Sequence, residues 1–421
     1  MIGMQRFGGV FVCVCLLAAA PAAADVVTDW NAVARNPLYN EPRPGASSIL
    51  DIAMMHVAMH DAIQAIQGRF RTYSGLLPAS EGSVVAAAAA AAHAILVNRY
   101  PSKETALNEK LDSYLGVCDG ACAAGAAVGR DAANAVILLR QGDGAHPSTP
   151  QPFFGCMDPG ELCDPGEWRP TSSGSMVTPW LGGVHPFTVA DITQFLPEPP
   201  PALTSREYTR NYNEVKLLGR AASAAHPSAR TAEQEASALF FREGPPGYWN
   251  RTLEFIVADH VPDTGDRARL YALVQLSMAD AIITSWHNKK HFNFWRPETA
   301  IKEGHLDGNP DTLGDTSWLP HSLTPNYPDY TSGANNLNGA VTGTLEHFFQ
   351  TDSMAFTLRG ANNVTREYHS FSAVADDVCE ARILEGIHFR FADSIARTQG
   401  RNVATNAFKN FLRPLNDADD Q

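Results

Sequence analysis

Three short segments in the second half of the chain carry side chains suited to a tetrahedral oxyanion. The first, Lys289-Lys290-His291-Phe292-Asn293-Phe294-Trp295-Arg296-Pro297, sets Lys289 and Arg296 seven residues apart. Pro297 disfavours helical geometry at Arg296. The spacing therefore predicts Lys289 at the end of one helix and Arg296 at the start of the next segment, both turned inward by the flanking aromatics. The second, Pro328-Asp329-Tyr330-Thr331-Ser332-Gly333-Ala334-Asn335, precedes an apolar helical pattern. Ser332 fits a helix N-cap, Gly333 admits close backbone approach, and the free N–H groups and dipole of a helix start favour an anion. The third runs from Arg382 through Gly386 and His388 to Asp393. Arg382 adds a third fixed cation, Gly386 leaves room for the anion, and His388 suits attack on phosphorus or ligation of a metal oxyanion. Three cations, a hydroxyl, backbone amides and one imidazole match a trianionic group such as phosphate or vanadate in charge and donor count.

These segments resemble the signature of the vanadium-dependent haloperoxidases and type 2 phosphatidic acid phosphatases. That signature reads Lys, six residues, Arg-Pro; then Pro-Ser-Gly-His; then Ser-Arg, three residues, Gly, one residue, His. The wider chain resembles exported bacterial members in His56-Val57-Ala58-Met59-His60-Asp61-Ala62, in Ala202 to Ser205 with Asn213 to Lys216, and in Asn293 to Ile301. The resemblance implies an all-α fold of two packed helical bundles, chloroperoxidase/acid-phosphatase-like, with the anion pocket in the second. It implies that Lys289, Arg296 and Arg382 bind equatorial oxygens, that Ser332 and the Gly333 amide add hydrogen bonds, and that His388 coordinates vanadium or attacks phosphorus.

The chain departs from the signature at four points, the first being Thr331 in place of its proline. Ala334 stands where the family carries its acid–base histidine, a group that contributes roughly 10²–10⁴-fold in rate. Asn335 and His321 are candidate replacements, and His291 lies beside the first segment in sequence. Ala381 replaces the serine before Arg382. The trailing aspartate is displaced by one residue, to Asp393, and is a possible accessory group. The resemblance implies a vanadate-dependent haloperoxidase-like enzyme that oxidises halide with hydrogen peroxide, phosphate being a competing ligand. The alternatives are an acid phosphatase acting on phosphate esters with His388 as nucleophile, and a non-catalytic oxyanion-binding relative.

The elements that must position these groups read as mostly helical. Apolar residues recur at helical spacing from Ile49 to Ile66. Ala-rich runs at 84–97 and 121–139 are strong helix formers, and further helices are expected at about 205–222, 230–243, 264–288, 334–350, 364–385 and 389–412. Residues 143–204 are rich in Pro, Gly and Ser with little periodicity, and so long a loop usually serves function. We expect an N-terminal helical lobe over 25–204, which includes that loop, and a C-terminal lobe over 205–421 carrying the site.

Residues 1–24 read as a secretory signal: Arg6, a short apolar run from Val10 to Leu17, then small residues up to a cleavage point near Ala24. No later segment reads as long and apolar enough to span a membrane, and the protein is expected in the periplasm or secreted. Loss of Arg6 takes the net charge from −13 to −14, which argues against nucleic acid as a partner. Five cysteines follow the signal. Short-loop disulfides at Cys118–Cys122 and Cys156–Cys163, with Cys379 a free thiol, fit an exported protein. His56 and His60 suit hydrogen bonding between helices better than a metal pair. Asp307, Asn309, Asp311 and Asp315 suggest a calcium loop, but Thr312 stands where such a loop needs Gly and Trp318 where it needs Glu. A plain Asx turn is the better reading.

Overall fold

The computed structural model describes residues 25–36, 45–79, 81–116, 120–149, 151–152, 154–156, 163–172 and 176–416. The signal-like run, Cys118 and the acidic end from Asp417 lie outside the described residues. Helix α1 (Val26–Ala34) is capped by Asp25, whose carboxylate accepts from Val27 N. It is followed by α2 (Gly45–Gln67), α3 (Val84–Arg99), α4 (Glu104–Leu115) and α5 (Cys122–Leu139). After the long loop come α6 (Arg206–Leu218), α7 (Ala232–Phe240), α8 (Pro245–His260), α9 (Thr264–Phe292), α10 (Pro297–Lys302) and α11 (Gly333–Phe349). A hairpin of β1 (Ser353–Arg359) and β2 (Thr365–Ser370) precedes α12 (Phe371–Leu384) and α13 (Arg390–Asn410).

The 29-residue α9 is the axis of the fold. It packs on α2, α11 and α13, and one apolar cluster runs without a break from Val26 to Leu412. Helices α11 and α13 come together closely where a Cβ at Gly339 would lie 2.2 Å from Arg397 O. Gln399 Oε1 accepts from Asn288 Nδ2 at 2.9 Å and from Asn336 Nδ2 at 2.7 Å, tying α9, α11 and α13 together beside the site.

The hairpin corrects the helix expected over 364–385, which begins only at Phe371. Phe356 and Tyr368 are register partners and stack with ring centroids 6.0 Å apart. Ser370 then caps α12. The described part of the long loop holds no α-helix. Buried Asp280 on α9 pins it, accepting from the backbone N–H groups of Phe187 (2.5 Å) and Thr188 (2.6 Å) and from Thr188 Oγ1 (2.5 Å).

The expectation that no segment after residue 24 suffices to span a bilayer fails on length and composition. Ala46–Gln67 and Cys122–Leu139 both qualify. The first is almost wholly buried against protein, as a core helix is, and the second carries Arg130 and Asp131 at mid-helix.

Cys156 and Cys163 form a disulfide, Cys122 is disulfide-bonded, and Cys379 is a buried free thiol. His56 Nε2 lies 3.1 Å from Asn31 Oδ1 and its ring stacks on Tyr271, while His60 Nε2 lies 3.2 Å from Arg71 O. These contacts tie elements together, as hydrogen bonding between helices would. The Asp307 carboxylate accepts from Asn309 N and Thr312 Oγ1, and Asp315 pairs with Arg220, the pattern of an Asx turn.

Candidate oxyanion site

Local backbone chemistry sets the first two cations. Helix α9 ends where Asn293 turns left-handed (φ 45°) with its N–H bonded to Lys289 O, so Lys289 sits in the last helical turn. Arg296 takes an extended conformation (ψ 156°) as N-cap of α10, with Pro297 at the first helical position. Both side chains are fully buried. Lys289 Nζ donates to Pro328 O (2.8 Å) and Asp329 O (3.0 Å). Arg296 Nε donates to Tyr327 O (2.8 Å) and Nη1 to Ile387 O (2.6 Å). These bonds draw all three sequence segments to one point.

Ser332 caps α11, accepting from Asn335 N, and its own N–H donates to Ala392 O. Gly333 opens the helix against Trp286, whose ring edge would lie 3.1 Å from a Cβ there. Arg382 reaches in from the last turn of α12, with Nη1 donating to Glu385 Oε1 (3.0 Å) and Phe241 O (3.3 Å). Gly386 corrects the expectation of space for an anion. Its φ of +78° requires glycine, and a Cβ would lie 2.3 Å from Gly219 O, so it serves backbone packing.

His388 is the centre of the constellation. Its Nε2 lies 3.1 Å from Arg296 Nη1, and its Nδ1 lies 2.7 Å from Asp329 Oδ1. Arg296 can only donate, so Nε2 must present its lone pair, and the proton belongs on Nδ1, facing the carboxylate. The Phe389 backbone N–H also bonds the Asp329 carboxylate, and Arg296 Nη1 lies 3.7 Å from Oδ1. Burial holds His388 well below its ordinary pKa, and Arg296, Lys289 and Arg382 push the same way. Burial lifts Asp329 to about 7, against the pull of Arg296 and Lys289. Burial also drives Lys289 far down, with Arg296 the next cause. Cations packed so closely that they repel one another favour an anion among them.

Two buried nitrogens, Arg296 Nη2 and Arg382 Nε, have no hydrogen-bond acceptor among the described residues. Buried guanidinium donors left unmatched are costly. A multi-oxygen anion would satisfy both, and the donor set here suits one: two guanidinium groups, an ammonium and a helix start, with an imidazole lone pair alongside. Vanadate, bound as such an anion, fits these residues.

Other sequence candidates fall elsewhere. Asp393 does not reach His388; it accepts from Asn335 Nδ2 at 2.7 Å and bonds the Ser332 side chain. Asn335 is occupied by that contact and does not line the cavity beside His388. His321 lies 2.9 Å from Glu235 Oε1 and 3.1 Å from Arg242, a residue of the cavity lining. His291 is exposed and stacks on His287, with ring centroids 6.3 Å apart. Asp329 carried no role in the sequence reading. The available signal was an acidic residue inside a segment otherwise recruited for binding an anion.

A cavity of about 390 Å³ opens onto the site, and His388, Arg382, Gly333 and Ala334 form its inner end.

Residues 269–417 match the family model described as the VCPO second helical-bundle domain. The chain is 26% identical over 286 residues to vanadium chloroperoxidase from Curvularia inaequalis, which covers 52% of this chain and 46% of that protein. It thus spans about half the length of that curated relative. Among solved structures it is similar to a bacterial vanadium-dependent iodoperoxidase (TM-score 0.76, 22% identity, 95% of this chain and 99% of that one). It is also similar to a holo-type bacterial vanadium-dependent chloroperoxidase (TM-score 0.72, 16% identity, 89% and 94%).

Proposed function

We propose that the chain is an enzyme of the vanadium haloperoxidase superfamily that holds vanadate at Lys289, Arg296, Ser332, Gly333, Arg382 and His388 and oxidises halide with hydrogen peroxide. The observation that carries this reading is the pair of unmatched buried donors, Arg296 Nη2 and Arg382 Nε, beside His388, whose unprotonated Nε2 accepts from Arg296 Nη1 and would exchange that contact for the anion. Bound vanadate supplies the Lewis acidity that polarises peroxide toward halide. The protein does the rest. Arg296, Arg382 and Lys289 neutralise the anion and fix its orientation at no reorganisation cost during reaction. His388 anchors it, with Asp329 holding the ring and its tautomer. The walls of the cavity restrict water. The net reaction is peroxide plus halide plus one proton giving hypohalous acid and water.

Ala334 leaves the inner end without a proton-transfer side chain. That weighs against phosphomonoester hydrolysis, where the leaving group must be protonated. An exported location is part of the same proposal, supported by the signal-like run and by the Cys156–Cys163 disulfide.

The test adds orthovanadate to metal-free protein and follows triiodide formation from iodide and peroxide. Phosphate-ester hydrolysis is measured in parallel without vanadate. Oxidation that requires vanadate supports the proposal. Hydrolysis that vanadate inhibits would instead identify a phosphatase with His388 as nucleophile. Oxyanion binding without either turnover would identify a binding protein.

A further inference from the structure

The backbone between Lys289 and Arg296 is held from one side by a strap of the long loop, and that strap carries a disulfide. Phe294 lies opposite Glu167 in an antiparallel bridge. Trp168 N donates to Asn293 O and Trp295 N donates to Gly166 O, each at 2.8 Å. Asn293 N in turn donates to Lys289 O at 3.1 Å, and Asp329 N donates to Phe294 O at 2.9 Å. The strap therefore grips the backbone next to both cations, and that backbone also bonds Asp329, the partner of His388. Farther along, Arg169 pairs with Glu303, the C-cap of α10. Arg296 is the N-cap of this six-residue helix, so the strap holds α10 at both ends.

Cys156 and Cys163, seven residues apart, close the strap on itself. Cys163 leads into a turn in which Glu167 N donates to Asp164 O at 3.1 Å. Cys156 N donates to Trp168 O, also at 3.1 Å, and a Cβ on the preceding Gly155 would lie 2.6 Å from the Trp168 ring. Trp168 is buried, whereas both cysteines are half-exposed and within reach of a solution reagent. A cross-link removes conformations from the chain it closes. Without it, each residue of the strap must be ordered at the full entropic cost, and the bonds to 293–295 weaken. The Arg296 guanidinium is aimed by Tyr327 O and Ile387 O, but the root of that side chain is fixed from the strap.

We propose that the Cys156–Cys163 disulfide is a redox control on the oxyanion site: the oxidised strap positions Lys289 and Arg296, and its reduction weakens their hold on the anion. The proposal rests on the reading of that site as an oxyanion cradle. An external dithiol opens the disulfide. One of its thiolates attacks a cysteine sulfur and the S–S bond breaks; the second thiolate then displaces that cysteine. Two cysteine thiols result, carrying the two protons of the dithiol, which leaves as a disulfide. Hydrogen peroxide, the oxidant of the proposed reaction, closes it again. The two thiols give up two protons and two electrons, and peroxide becomes two waters. The cradle is then at full strength under the oxidising conditions in which its peroxide substrate is present.

The test uses inorganic phosphate as the probe, because a dithiol would reduce vanadate. Calorimetric titration compares wild type, wild type reduced with dithiothreitol, and the double variant Cys156→Ser/Cys163→Ser, which keeps the disulfide of Cys122. Partners that orient a binding group are typically worth 10–100-fold, so reduced protein and double variant should bind phosphate about tenfold more weakly. Reoxidation with peroxide should restore the reduced wild type. Arg169→Ala should also weaken binding, and Arg169→Lys should recover part of the loss. Circular dichroism confirms the fold of each variant. Hydrogen exchange of a peptide covering 293–300 should accelerate in the double variant, while one covering 270–280, in the middle of α9, keeps its rate. A disulfide that only adds global stability would leave the phosphate affinity of the folded variant unchanged and speed exchange throughout the chain. Unchanged affinity overturns the proposal, as does exchange at 293–300 that stays at the wild-type rate or rises only with the rest. If wild type itself binds no phosphate, the oxyanion reading fails, and exchange at 293–300 still decides whether the disulfide holds this backbone.

Discussion

Asp329 Oδ1 lies 2.7 Å from Nδ1 of His388, and both side chains are buried in the wall of the oxyanion site. The contact joins the second sequence segment to the third and determines which imidazole nitrogen faces Arg296. Loss of a group that orients a ligating histidine typically costs 10–100-fold in affinity or activity. Asp329→Ala should weaken vanadate binding by about that factor, measured by isothermal titration. Asp329→Asn, which keeps an acceptor oxygen but not the charge, should recover part of it. An unchanged affinity in the alanine variant would remove Asp329 from the site.

The same carboxylate makes a prediction about stability. Burial raises Asp329 to about 7 in the folded protein. Its contribution is therefore present at low pH and is lost as pH rises through 7. In metal-free protein Asp329→Asn should raise the thermal midpoint at pH 8 relative to wild type and have little effect at pH 4. A larger gain at pH 4 than at pH 8 would contradict the assignment.

His56 and His60 act in the opposite direction. Burial pulls each from 6.5 to about 3, so unfolding takes up a proton at each as pH falls below 6.5. Their contribution is present above 6.5 and is lost toward 3, at about 1.4 kcal/mol per pH unit for each histidine. His56→Gln should flatten the pH dependence of urea unfolding stability between pH 4.5 and 6 by about that slope. A slope identical to wild type would show that His56 is not held neutral in the fold.

Ala334 offers a gain-of-function test. It lines the inner end of the cavity with His388, and Ala334→His places an imidazole there. General acid–base catalysis is worth roughly 10²–10⁴-fold. The variant should raise the turnover of vanadate-loaded protein in iodide oxidation by tenfold or more, with a new ionisation in its pH profile. No change in either would mean that proton transfer does not limit this enzyme.

The helices and the cation cluster were legible in the sequence because they depend on local signals. Apolar periodicity marks α9 and α11, Pro297 ends the helical option at Arg296, and Ser332 followed by Gly333 marks a helix start. The misreadings depend on tertiary contacts. Residues 365–370 pair as a strand because Tyr368 meets Phe356 across the hairpin. Asp329, which had no role in the sequence reading, takes the place beside His388. Gly386 answers to Gly219, in a helix terminus far away in sequence. No spacing rule within one segment reports such partners.

The most direct test of the cation cradle is calorimetric titration of metal-free protein with orthovanadate, repeated in the presence of phosphate. The expected result is one vanadate per chain, competed by phosphate, with affinity reduced at least a hundredfold in Arg296→Ala and in Arg382→Ala and clearly reduced in His388→Ala. Vanadate that fails to bind, or that binds all three variants as it binds wild type, would contradict the assignment of these buried side chains to an oxyanion.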